Sequence, residues 1–373
     1  MRVATLPNNP ARAGIRTIAR KVVSTRTGRA ATRRTAAALF GTRAGRALAR
    51  WAAKRYARRT LDRVRWPPLI YLPSVVTFAR LRRKLGPPPA PLTLIAVYAA
   101  PAVVSYALPR GRIRAYLTWL THMWAYKVAF EVPYDRPERL RARLRIDEPI
   151  ALDRRIGLGV PPSQRLQRRL RHPPRLTALD RLVNAVYLLW ELEPHVALGW
   201  ILSRHPGRFP GAALRLALTY DSTIVGYFAT PTAPPWWASE IEGRMDGDVR
   251  RVNVEVVRAL RGKPRPGSPE DHKSGSNPWA AWPSDHFASA LSAAIALAEA
   301  EPRAGAIGFG YAAALGFALV YSGEHYVIDL LLGAALALAV HGVGAQLTDR
   351  RVRLLEAAIQ PGPRWKRLTR VGR

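Results

Sequence analysis

From Pro91 onwards the chain repeats one pattern: an apolar run close to membrane-spanning length, then a short connector rich in Arg, Pro and Gly. The runs are Pro91–Leu108, Ile113–Phe130, Leu182–Leu202, Ala212–Ala229, Phe287–Ala300, Gly305–Tyr321 and Tyr326–Val343. A helix needs about 20 apolar residues to cross a hydrocarbon core of roughly 30 Å. Some runs fall short of that, but together they are too apolar and too many for one soluble domain. Only helices or closed barrels leave no backbone group unsatisfied in lipid, and continuous apolar runs of this length specify helices. The expected fold class is therefore all-α, a polytopic membrane helical bundle.

Charge supports the same reading once it is located. The chain of 373 residues has a formal net charge of +34, which taken alone suggests nucleic-acid binding. Yet 48% of residues are hydrophobic and 11 are Trp, unlike a disordered polycation. Residues 1–86 hold 22 Lys or Arg against one acid, Asp62, and residues 347–373 hold 8 against Asp349 and Glu356. The domains expected are thus a basic N-terminal tail over 1–86, disordered or lying as a helix on the lipid surface, a membrane domain over 87–346 with core motifs in 212–343, and a basic C-terminal tail over 347–373. Arg-rich ends prefer the cytoplasmic side and bind anionic lipid rather than nucleic acid. Two cytoplasmic ends require an even number of crossings, so about six spans are expected. Ile113–Phe130, interrupted by His122 and Lys127, is the run expected not to span.

Ionisable residues at the ends of apolar helices mark where chemistry sits. Zero cysteines exclude thiolate metal sites and cysteine nucleophiles. Gly308-Phe-Gly310 lies inside an apolar run without a preceding strand, which makes it a helix-packing motif rather than a dinucleotide fingerprint. Pro283-Ser284-Asp285-His286 immediately precedes an apolar run, so Ser284 reads as a helix cap and the helix start as a seat for a phosphate. In Glu324-His325-Tyr-Val-Ile-Asp329 the His and Asp are four apart, one helical face, so that Asp329 can hold the imidazole in one tautomer. Charge beside an apolar span is costly unless paired or wetted, and usually marks function. A turn at Glu301-Pro302-Arg303 would fold the two helices into a hairpin and bring His286 and His325 to the same membrane face. Glu191, Glu193 and His195 could line a headgroup cavity or simply face a hydrated crevice. Pro231–Trp237 reads as an interfacial turn with Trp anchors that could roof the site.

Pro-Ser-x-His followed, after one hairpin, by His-x-x-x-Asp resembles the type-2 phosphatidic acid phosphatase superfamily of six-span, metal-independent phosphatases and phosphotransferases. Within it, Asn277-Pro-Trp-Ala-Ala-Trp-Pro-Ser-Asp-His286, Glu-His325-Tyr-x-x-Asp329 and Pro231-Thr-Ala-Pro-Pro-Trp-Trp237 are most similar to the inositol phosphorylceramide synthase branch. The resemblance implies a multi-pass enzyme of the cell membrane; with both Arg-rich tails expected in the cytoplasm, its site is expected on the opposite face. It implies a lipid phosphate substrate and no cofactor or metal. His325 would be the phosphoryl acceptor, Asp329 its orienting carboxylate and His286 the acid and base, with Ser284 among the phosphate ligands. Transfer of an inositolphosphate-type headgroup and plain hydrolysis share these residues.

Three departures stand out. Asp285 replaces the small residue common in the superfamily's motif and puts an unexplained negative charge beside the site. The superfamily's Arg six residues before the nucleophile falls on Leu319, and its companion Ser on Ala318. Its Lys-x6-Arg-Pro motif has an echo in Arg258 with Arg265-Pro266, and a looser one in Lys127 with Arg136-Pro137. Arg258, Arg265 and Lys127 are therefore candidate phosphate ligands, although the Arg258–Arg265 stretch reads equally as a solvated loop. Two readings of other classes stay open: a metal hydrolase using Asp271, His272, Asp285, His286, Glu324, His325 and Asp329, and a non-enzymatic lipid-binding or transport protein.

Overall fold

The computed structural model describes residues 62–173, 175–245, 248–260 and 277–346. The two tails, for all but residues 62–86, and Lys263, Arg265, Asp271 and His272 lie outside the described residues. A compact unit begins at Arg65. Its main helices are α1 (Tyr71–Leu81), α2 (Ala90–Ala107), α3 (Arg112–Glu131), α4 (Asp147–Ile156), α5 (Pro162–Leu170) and α6 (Ala178–Leu189). They continue with α7 (Glu193–Arg204), α8 (Phe209–Ala229), α9 (Val252–Leu260), α10 (Asp285–Ala300), α11 (Pro302–Tyr321) and α12 (Val327–Gln346). No strand occurs among the described residues, and only isolated bridges such as Thr232 with Arg145 and Ala280 tie the connectors.

Among the described residues three helices are long and apolar enough to cross a membrane: Ala90–Ala107, Pro302–Tyr321 and Val327–Gly344. Two more have the length but carry charge, Arg112, Arg114, Lys127 and Glu131 in α3, Arg215 and Asp221 in α8. Ile113–Phe130, the run expected to stay out, is one continuous helix paired with α2. The run that breaks is Leu182–Leu202. Pro194 lacks the N–H a continuing helix needs, and the amides of Trp190, Glu191 and Leu192 bond back three residues instead of four, at 3.2, 3.3 and 3.0 Å. That break leaves Trp190 and Glu191 at a corner, free to face inward.

At the centre stands α10. Beyond Asp285 at its start, its buried positions are Ala288, Ser289, Ala290, Ser292, Ala293, Ala294 and Ala296, all small, so α7, α8, α11 and α12 all pack against it. Lipid is as apolar as a leucine side chain, so close van der Waals contact between small residues, not water exclusion, drives this association. Gly308 shows the limit: a Cβ there would lie 2.8 Å from the Cα of Ala294, whereas one at Gly310 would meet nothing within 4 Å. Of the two glycines read as a packing motif, Gly308 thus stands at a close helix contact and Gly310 does not.

The hairpin turns between Ala300 and Pro302 as expected, with Glu301 alone in extended backbone. α6 starts with a reciprocal cap between Thr177 and Asp180, and Asp180 also accepts the Tyr321 hydroxyl at 2.7 Å. The end of α11 is thereby tied to α6 just before the loop that carries His325.

Candidate active site

Residues 322–326 form the loop between α11 and α12. Gly323 turns the chain at φ +73°, in the left-handed region that a side chain disfavours. The amides of Glu324 and His325 then fold back onto the Leu319 carbonyl, at 3.1 and 3.2 Å. Gln167 clamps the loop from α5, donating to the Tyr321 carbonyl at 2.7 Å and accepting from the Arg250 amide at 2.9 Å. Beyond the loop, Asp329 stands in the first turn of α12 and its Oδ2 accepts the Tyr326 amide at 2.8 Å. The same oxygen lies 3.3 Å from His325 Nδ1. His325 precedes the helix, so the pair forms through this N-terminal turn and not, as the four-residue spacing suggested, along one helical face.

A carboxylate only accepts, so the Asp329 contact places a proton on His325 Nδ1 and leaves the lone pair on Nε2. That Nε2 lies 3.2 Å from His286 Nδ1, across the hairpin and 39 residues earlier in sequence. His325 and Asp329 are both buried. His286, in the first turn of α10, is held between aromatic rings, Trp190 at 4.1 Å between centroids and Tyr187 at 5.3 Å. Both rings come from the stretch around the broken helix.

The start of α10 differs from the seat for an anion that its sequence suggested. Ser284 is fully buried, its hydroxyl accepts the Phe287 amide at 3.3 Å, and it lines neither cavity beside the histidines. Asp285 puts its own carboxylate on the His286 amide, at 2.8 Å. The positive end of the helix is thus already occupied by a capping hydroxyl and a fixed negative charge.

A small cavity of about 80 Å³ opens on the two histidines and is also lined by Arg251, Glu324, Asp285 and Trp236. The Arg251 guanidinium grips Glu324 with both arms, Nε at 2.9 Å and Nη2 at 3.3 Å, and lies 4.3 Å over the Trp236 ring. Burial pushes the Glu324 carboxyl up, but the charge and hydrogen bond of Arg251, with the two nearby histidines, together outweigh it and hold the group below its ordinary range. Trp236 is itself buried and its amide donates to the Gly323 carbonyl at 3.0 Å, so it walls the cavity and is no interfacial anchor.

On the other side of His286 lies a cleft of about 410 Å³, lined among others by Lys127, Glu191, His195, Trp124 and Trp190. Asp285 and His286 border both spaces. Of the candidate phosphate ligands, Lys127 thus stands at the cleft, whereas Arg258 lines neither space, seven residues or roughly 10 Å of helix beyond Arg251. Glu191 and His195 face the cleft; Glu193 instead lines an apolar groove with Trp200 and Tyr311. Among the described residues, Asp285, His286 and His325 form the one trio whose ligand atoms lie close enough together, within 4.8 Å, for a metal ion.

Arg251, Tyr187 and Trp190 carry no motif and were missed in the sequence. The only trace of Arg251 was the doublet Arg250-Arg251 just ahead of a helix.

At the mouth of the helical hairpin the fold thus brings together a buried His325, a half-buried His286 and the carboxylates of Asp329 and Asp285. Residues 148–343 match the PAP2 superfamily, the type-2 phosphatidic acid phosphatases and their relatives, and the chain belongs to that superfamily. No curated protein and no solved structure matches the chain.

Proposed function

We propose that this protein is a phosphoryl-transfer enzyme of the cell membrane that works on a lipid phosphate through a phosphohistidine at His325, without metal or cofactor. The observation that carries this is the aligned set Asp329 Oδ2, His325 Nδ1, His325 Nε2 and His286 Nδ1, with contacts of 3.3 and 3.2 Å, inside the matched region.

Asp329 holds His325 so that the Nε2 lone pair attacks phosphorus; an N–P bond forms as the P–O bond to the lipid alcohol breaks. His286 gives its proton to the departing alkoxide. In the second half it takes a proton from the incoming hydroxyl, whose oxygen attacks phosphorus and releases His325. Arg251, in the small cavity, stands where a cation would neutralise the phosphoryl oxygens, and it takes the place of the superfamily's Arg that falls here on Leu319. The wider cleft beyond His286 favours an alcohol as second acceptor and supports headgroup transfer of the inositolphosphotransferase type over hydrolysis. The remaining expectations are proposals of the same reading: six spans, both basic tails in the cytoplasm on anionic lipid, the site on the far face, and Arg265 near the phosphate.

The test is a rapid-quench assay of purified protein with a radiolabelled lipid phosphate. Wild-type protein should carry an acid-labile, alkali-stable label in mid-turnover, and His325→Ala should carry none and lose at least about 10³-fold in rate. Activity should survive exhaustive chelation. Loss on chelation with recovery on adding back a divalent ion would instead favour a metal held by Asp285, His286 and His325. Adding free alcohols separates transfer from hydrolysis by the phosphorylated product.

A further inference from the structure

The superfamily motif has a small residue where this chain has Asp285, and that residue is woven into the site. Asp285 is 3% exposed, at the first position of α10. Its Oδ1 accepts the His286 amide at 2.8 Å and lies 2.9 Å from His286 Nδ1. Its Oδ2 accepts the Tyr126 hydroxyl at 2.6 Å. Tyr126 is buried on α3, packed against Tyr220 at 4.6 Å between centroids, so the carboxylate is held from a separate helix.

We propose that Asp285, braced by Tyr126, is a positioning residue for His286, so that the site is built from two back-to-back His–Asp dyads rather than one. The proposal rests on the phosphohistidine reading above. A carboxylate only accepts, so Asp285 competes for the proton on His286 Nδ1, and the acid–base work is thereby assigned to His286 Nε2. A second effect follows from the distances. His286 Nδ1 has two acceptors in reach, Asp285 Oδ1 at 2.9 Å and His325 Nε2 at 3.2 Å. The charged oxygen is the stronger acceptor, so it draws the proton away and frees the His325 lone pair for phosphorus. Without the carboxylate, His286 would donate to His325 and cap the nucleophile.

The test measures phosphoenzyme formation in single turnovers with two esters of the same phosphate, one with an alkyl leaving group and one with p-nitrophenol, whose anion departs without a proton. Asp285→Asn, the isosteric change, should slow the alkyl ester on the order of 100-fold and the p-nitrophenyl ester distinctly less, because only the freeing of His325 is lost there. Tyr126→Phe, which keeps the carboxylate, should show the same asymmetry at about one-tenth of the size. His325→Ala should fail with both esters. Equal losses on the two esters in both variants, or no loss in either, would overturn the proposal and leave Asp285 as scaffold. A wild-type protein that forms no phosphoenzyme with either ester overturns instead the reading on which the proposal rests. Should Asp285→Asn not accumulate as folded protein, the leaving-group asymmetry in Tyr126→Phe decides alone.

Discussion

Arg251 and Glu324 form a pair whose two halves have different duties. A buried ion pair adds little net stability, since desolvation offsets the attraction, but breaking one leaves a buried charge without a partner. Arg251→Ala is therefore expected to lower the melting temperature and to reduce kcat/KM about 10- to 100-fold, the scale of a lost charge-assisted contact to phosphate. The double variant Arg251→Leu/Glu324→Leu should regain the melting temperature but not the activity. Recovery of both would show that Arg251 only neutralises its neighbour. At this scale the histidines and Asp329 were legible because their spacing is local, and the fold needed only one hairpin to join them. Arg251 was not, because nothing within its own segment distinguishes a guanidinium that meets Glu324, 73 residues on, from one in solvent.

The helices hold the site through their ends. α12 starts under Asp153, a fully buried residue of α4 whose Oδ1 accepts the Ile328 amide at 3.2 Å, one residue before Asp329. Burial raises the Asp153 carboxyl from 3.8 to about 7. The folded state therefore keeps a proton that the unfolded chain releases, and stability falls as pH rises through that interval. Asp153→Asn keeps the accepting oxygen and cannot ionise. Its melting temperature should exceed that of wild type by a margin that grows from about pH 4 to about pH 7 and then levels off; a constant margin would place the effect elsewhere. Helix existence was plain in the apolar runs. The break within Leu182–Leu202 needed more, because a proline can start a helix, as Pro194 does, or sit inside one, as Pro101 does in α2, and only packing shows that the corner turns Trp190 towards His286.

For the whole molecule the open quantity is topology, and the absence of native cysteines makes it measurable. With six spans, Thr27→Cys and Thr369→Cys should both react with an impermeant maleimide only from the cytoplasmic face. Arg244→Cys, half-exposed on the connector beside the site, should react only from the opposite face. Tails that label from opposite faces would mean an odd number of crossings. Among the described residues three helices satisfy length and apolarity, so six spans require three further crossings from the remaining helices. In α8 the charge of Asp221 has a partner, receiving the Tyr98 hydroxyl at 2.7 Å.

The sequence by itself determined the class of fold, because twenty apolar residues in lipid have no alternative to a helix. It also determined the histidine pair, because a hairpin of near-equal arms returns the chain to where it began. The tertiary structure alone decided which charges face those histidines. It buried Ser284 as a helix cap, and it put Arg251 in the small cavity and Lys127 at the wider cleft. It also gave the unexplained Asp285 a partner in Tyr126, 159 residues earlier. Such contacts depend on which helices become neighbours. That is settled by small-residue packing around α10, a property of surfaces in three dimensions that no single segment of the chain records.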